Sequence, residues 1–198
     1  MSKEEVKSKK GTKKHIRAVM LELGLYLCIL VFFVFVVPRY VGQKTQVSGK
    51  SMENTLFDKD SIFVEKISYQ LHEPKRFDVV VFYHFYDKGY RNKKDTDCYD
   101  LYVKRVIGLP GETVQIVDQT IYIDGKPLEE HYGKNPIQSQ GVAEKPITLG
   151  EDEYFVLGDN RKVSQDSRYT VVGNVQKKDF VGRACFRIFP LKHFGSIQ

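Results

Sequence analysis

From Leu23 to Val37 the chain runs through fifteen residues without a charge, and seven lysines and arginines crowd the first seventeen positions. Such a run must be buried in protein or in hydrocarbon. With Ala18–Leu21 added it exceeds the roughly 18 apolar residues that suggest a membrane span. Glu22 interrupts it near the N-terminal end. A carboxylate there costs much less than the roughly 2.5–3.5 kcal/mol it would cost at mid-membrane. Pro38-Arg39-Tyr40 then reads as a helix stop beside an interfacial aromatic. A cleavable leader is the competing reading, but no small-residue cleavage site closely follows the run; only Val47-Ser48-Gly49 resembles one, ten residues beyond.

The basic residues are Lys3, Lys7, Lys9, Lys10, Lys13, Lys14 and Arg17. A net charge of +6 would permit nucleic-acid binding. Its clustering ahead of the apolar run is explained better by membrane orientation, with the basic end cytoplasmic and everything after Val37 outside. The expected organisation is a basic tail over 1–17, an anchor over 18–37 and an extracytoplasmic domain over 38–198. The lipid bilayer is the expected partner, and nucleic acid is not. Cys28, Cys98 and Cys185 show no CxxC spacing, so no metal or other cofactor is expected. Cys98 and Cys185 could pair, but free thiols are the plainer reading.

Beyond the anchor the chain is rich in Val, Ile, Phe and Tyr and has no Trp, which leans toward strand. Strands are expected over Asp60–Ile67, Phe77–Phe85, Leu101–Gly108, Thr113–Val117, Thr120–Ile123, Tyr154–Leu157 and Ala184–Phe189. Val79-Val80-Val81-Phe82-Tyr83 reads as a strand buried on both faces. Pro110-Gly111 and Asp124-Gly125 mark turns. The polar stretches Asp87–Asp100 and His131–Ile147 read as solvated loops.

Three segments carry possible chemistry. Ser51 follows Gly49 in a turn that could present a hydroxyl together with backbone N–H groups. Lys104 lies among Tyr102, Val103, Val106 and Ile107. An amine with its ordinary pKa of about 10.4 is no base near neutrality, but burial can lower that value by up to about 3–5 units. The alternative places Lys104 on the solvent face of an edge strand beside Arg105. Gly158-Asp159-Asn160, followed by Ser164, Asp166 and Arg168, is dense in side chains that hold irregular loops, and Asp166 and Arg168 could pair. A Ser-His-Asp arrangement through His84 and Asp87 is the competing site, although no GxSxG elbow is present.

These blocks, in this order behind a basic and apolar N-terminus, closely resemble type I signal peptidases in the single-anchor form typical of Gram-positive bacteria. Ser48–Leu56 resembles the nucleophile box, Phe77–Phe82 the strand box, Tyr102–Glu112 the general-base box and Gly158–Arg168 the last box. The resemblance implies a mainly β fold: one N-terminal transmembrane helix, then an all-β domain of coiled antiparallel sheets with a small inserted cap over about 118–149. It implies a serine endopeptidase that removes signal peptides from secreted preproteins. Ser51 would be the nucleophile and neutral Lys104 the general base. The Ser51 N–H would contribute to an oxyanion hole, and Ser164 would orient the Lys104 amine. Asp166 and Arg168, with Gly158, Asp159 and Asn160, would brace the site. Substrate would bind as an added strand between Val47, Ser48 and Gly49 on one side and Leu101, Tyr102 and Val103 on the other.

One position departs from the family. Asn54 stands where proline is usual, which implies an altered turn and a specialised substrate such as a pilin or other surface-protein precursor. The alternative function is an assembly factor of the same fold with narrow or no peptidase activity; Ser51 and Lys104 together argue against it. A self-cleaving repressor would share the chemistry but needs a DNA-binding N-terminus in place of the apolar run.

Overall fold

The computed structural model describes residues 3–87, 89 and 91–198, with side chains from residue 15 onward. Met1, Ser2, Lys88, Tyr90 and the side chains of most of the basic tail lie outside the described residues. The chain divides into two compact units, Met1–Val41 and Gly42–Gln198.

The first unit is helical. Helix α1 (Lys3–Val31) continues as wider, π-type turns over Phe32–Val41. His15–Val41 is long and apolar enough to cross a membrane, and its side chains are largely exposed. The expected stop at Pro38 does not occur, since the helical path runs through it to Val41. In an α-helix the proline ring would clash with the carbonyl four residues back. The wider turns relieve that clash.

The second unit is mainly antiparallel β. Its strands are β1 (Gly42–Gln46), β2 (Ser61–Glu65), β3 (Val79–Phe85), β4 (Tyr99–Gly108), β5 (Thr113–Val117), β6 (Thr120–Ile123), β7 (Lys126–Pro127), β8 (Ile147–Thr148), β9 (Glu153–Leu157), β10 (Val175–Gln176), β11 (Phe180–Phe189) and β12 (Gly195–Ser196). A short helix, α2 (Ser68–Leu71), follows β2. The larger sheet runs β1-β2-β11-β3-β4-β9-β10, with β12 added to β11, and the smaller runs β7-β6-β5-β8. The smaller sheet begins at Thr113, ahead of the inserted segment expected from about residue 118.

Strand β3 explains its own composition. Val79 and Val81 pack with Val47, Met52, Leu56 and Ile62, whereas Val80 and Phe82 pack with Val106, Tyr154 and Val156. Alternate residues point to opposite faces, so a strand between two cores must be apolar on both. A third core joins the small sheet to the large one through Ile107, Val114, Ile121, Leu149, Phe155 and Leu157.

Strand β4 is central. Along one edge it pairs with β3 from Tyr99 to Arg105, and along the other with β9 only from Arg105 onward. Among the described residues its Tyr99–Lys104 stretch therefore keeps one edge without a strand neighbour.

Candidate active site

The turn carrying Ser51 is pinned on both sides. Val47 precedes it, and the fully buried Met52 and Leu56 follow, all in one core. The Thr55 and Leu56 N–H groups both donate to Met52 O, at 3.0 and 2.7 Å. Across from this turn, Lys104 on β4 is only 4% exposed. Its Nζ lies 2.8 Å from Ser51 Oγ. A charged amine donates across that distance, and a neutral one accepts the serine proton. Nζ also lies 3.1 Å from Val103 O and 4.9 Å from the centre of the Tyr102 ring.

Burial lowers the Lys104 pKa to about 8, against an opposing pull from Asp166 and then Asp159. Desolvation wins because an ammonium in a dry site loses more hydration than two carboxylates beyond contact distance restore. The solvent-facing alternative for Lys104 and Arg105 is therefore wrong for both. Successive residues of β4 point to opposite faces, yet Arg105 is 0% exposed. Its guanidinium forms a bidentate pair with Asp159, Nε to Oδ1 at 2.9 Å and Nη2 to Oδ2 at 2.7 Å. It also donates to Phe77 O, Thr55 Oγ1 and Gln198 O. Nothing near Arg105 in sequence signals this, since its counter-ion lies 54 residues away.

The loop after β9 braces the Ser51 turn. Asn160 N–H donates to Ser51 O at 3.0 Å. A Cβ on Gly158 would come within 2.1 Å of Ser164 Oγ and 2.5 Å of Ser51 O, so the loop approaches this closely only with glycine there. Asp166 and Arg168 form a buried bidentate pair at 2.8 and 2.9 Å, and Asp166 also accepts from Gly158 N–H. Ser164 is buried, but among the described residues its hydroxyl has no hydrogen-bond partner, so the bond to Lys104 expected of it is absent from this geometry.

A groove of about 620 Å³ leads to this pair, lined by Thr45–Met52, Asp100–Lys104, Val163 and Gln165. Val47, Ser48, Gly49, Leu101, Tyr102 and Val103 all border it, and so do Ser51 and Lys104. Val163 and Gln165, on either side of Ser164 in the last box, join them, although nothing in the sequence marks either. Tyr102 OH reaches Gln165 Oε1 at 3.4 Å.

His84 is buried but lines a different hollow of about 260 Å³, its ring 4.5 Å from that of Tyr102. Asp87 is exposed. The structure does not assemble a triad through these residues at Ser51. Cys28, Cys98 and Cys185 are free thiols.

Residues 20–189 match the family model described as signal peptidase, peptidase S26. A probable signal peptidase I-2 of Synechocystis sp. is 35% identical over 88% of this chain and 76% of its own. The signal peptidase I of Leptolyngbya laminosa is 37% identical over 81% of this chain and 75% of its own. Signal peptidase I T of Bacillus subtilis (strain 168) is 34% identical over 96% of each chain. A crystal structure of a signal peptidase I from Enterococcus faecalis V583 is 35% identical and covers 56% of this chain and 96% of its own, with a TM-score of 0.42. Kinship rests on the sequence matches, not on that superposition.

Proposed function

The chain belongs to the signal peptidase family, peptidase S26, and we propose that it removes N-terminal signal peptides through a dyad of Ser51 and Lys104. The observation that carries this reading is the 2.8 Å separation of Lys104 Nζ and Ser51 Oγ at the end of a groove, with the lysine buried and its pKa lowered to about 8. Neutral Lys104 takes the serine proton as Ser51 Oγ attacks the scissile carbonyl, then passes a proton to the leaving amine. The Ser51 N–H contributes to the oxyanion hole, a kind of donor worth about 2.7–4 kcal/mol in the transition state. Ser164, whose buried hydroxyl holds no bond, is the group left available to orient the amine once substrate fills the groove. The Asp166–Arg168 and Arg105–Asp159 pairs keep the surrounding loops in register.

The free edge of β4 over Tyr99–Lys104, facing residues 45–49 across the groove, supports binding of the substrate as an added strand. Main-chain hydrogen bonds then supply affinity, and shallow pockets for alternate side chains supply specificity. Residues 18–37 are assigned as the anchor, with 1–17 cytoplasmic and 38–198 extracytoplasmic. Among preproteins, pilin or other surface-protein precursors are the proposed substrates, the departure at Asn54 acting through the turn that carries Ser51 and not by lining the groove.

The test is a cleavage assay of the full chain in detergent micelles with a purified preprotein. Ser51→Ala and Lys104→Ala should each abolish cleavage while the fold is kept. Wild-type rates in both would sink the dyad.

A further inference from the structure

The loop from Glu130 to Asn135 lies in the segment between β7 and β8, far in sequence from either catalytic residue. It is nevertheless attached to both loops that hold Ser51. Asn54 Nδ2 donates to Tyr132 O at 3.1 Å. Lys134 Nζ pairs with Glu53 Oε2 at 2.8 Å, and this bond is the leading cause holding the Glu53 carboxyl below its ordinary range. On the other side, Lys134 N–H donates to Asp159 O at 2.7 Å, and Asn135 Nδ2 donates to Asn160 Oδ1 at 3.1 Å. Asn160 closes the circuit by donating to Glu53 Oε2 at 3.3 Å and, through its N–H, to Ser51 O at 3.0 Å.

The loop is itself well anchored. Glu130 pairs with the buried Arg161 at 2.9 Å. The Tyr132 ring stacks on the Arg105 guanidinium at 3.7 Å and packs near Phe77 at 5.1 Å. An anchored loop therefore grips a turn that has an unusual backbone. Asn54 sits at φ 111°, where non-glycine residues are uncommon and which proline, fixed near −65°, does not reach. Such a conformation persists where neighbours over-determine it, and the bond to Tyr132 O is one such constraint.

We propose that the Glu130–Asn135 loop is a positioning device for the nucleophile, with Asn54 and Lys134 the positioning residues that set the Ser51 turn against Lys104. The inference rests on the Ser51–Lys104 reading. Glu53, Asn54 and Lys134 do not line the substrate groove, so their effect falls on turnover and not on binding. A 1 Å misplacement at a reacting centre costs on the order of a hundredfold in rate, and loosening the turn is a part of that.

The test is steady-state cleavage of a signal-peptide-bearing preprotein by the full chain in micelles. Asn54→Gly keeps the positive φ and removes the donor. Lys134→Met removes the ion pair, and Lys134→Arg keeps it. Asn54→Gly and Lys134→Met should each lower kcat by about tenfold with KM within about twofold, as expected when placement and not affinity is lost. Their combined loss should be smaller than the product of the two, because both act through one turn. Lys134→Arg should restore kcat. The proposal is overturned if kcat holds in both variants, if KM rises while kcat holds, or if Lys134→Arg fails to restore what Lys134→Met loses. Ser51→Ala runs alongside. Activity surviving there would overturn the dyad instead, whereas an inactive Ser51→Ala beside unimpaired Asn54→Gly and Lys134→Met would overturn the positioning role alone.

Discussion

Replacing Lys104 by methionine should make the protein more stable at neutral pH while abolishing turnover. The amine is 4% exposed and its pKa falls from an ordinary 10.5 to about 8. The folded chain therefore holds this proton less well than the unfolded chain does. Stability rises with pH wherever the unfolded state binds more protons, here between about 8 and 10.5. Below about 8 both states are charged and the full burial cost is felt; above 10.5 both are neutral and the cost is gone. At roughly 1.36 kcal/mol per pH unit the cost is about 3 kcal/mol. Methionine has a similar length and no charge to desolvate. Losing the contact with Ser51 Oγ returns about 1 kcal/mol, so a net gain of about 2 kcal/mol is expected at pH 7. Urea unfolding of the full chain in micelles measures it, with wild type and Lys104→Met compared at each pH so that other titrations cancel. The difference should be largest below pH 8, shrink as pH rises, and near 10.5 reverse to favour wild type by about 1 kcal/mol, the contact with Ser51 Oγ alone remaining. A methionine variant less stable than wild type at pH 7, or a difference that ignores pH, would refute the desolvation argument.

Arg105→Met should destabilise by about 3–5 kcal/mol, because it leaves Asp159 buried without its counter-ion. Pairing it with Asp159→Leu should recover much of that loss in the same unfolding assay, and a single-variant loss under about 1 kcal/mol would contradict the picture. Wild-type enzyme should show a higher kcat/KM for pilin or surface-protein precursors than for generic secretory preproteins. Equal values across such a panel would count against substrate specialisation.

The sequence reveals this fold unevenly, and the unevenness has physical causes. Val79–Phe82 is legible because a strand between two cores has no polar face to confuse the pattern. Lys104 is legible as an expense, since an amine among apolar residues needs a reason. The pairing of Asp166 with Arg168 is legible because the partners are two residues apart. Arg105 is not, because its burial depends on Asp159, Thr55 and Phe77, all remote in sequence. The two-residue strands β7, β8, β10 and β12 exist only through their partners and carry no periodicity of their own. The expected stop at Pro38 failed because a wider helical turn tolerates the ring. Asn54 was legible as a departure from the family, but its positive φ and its bond to Tyr132 depend on a loop 78 residues away. The groove borders at residues 47–49 and 101–103 are legible, while Val163 and Gln165 enter it from a loop more than a hundred residues beyond Ser51.

The most direct test of the central claim is the pH dependence of kcat/KM for preprotein cleavage by the full chain, which reports the titration of the free enzyme. A neutral Lys104 as base requires activity to rise with pH through a single acid limb centred at about 8. A limb near 6.5, histidine's ordinary value, or one near 10.4, that of a solvated lysine, would contradict a buried lysine as the base that activates Ser51.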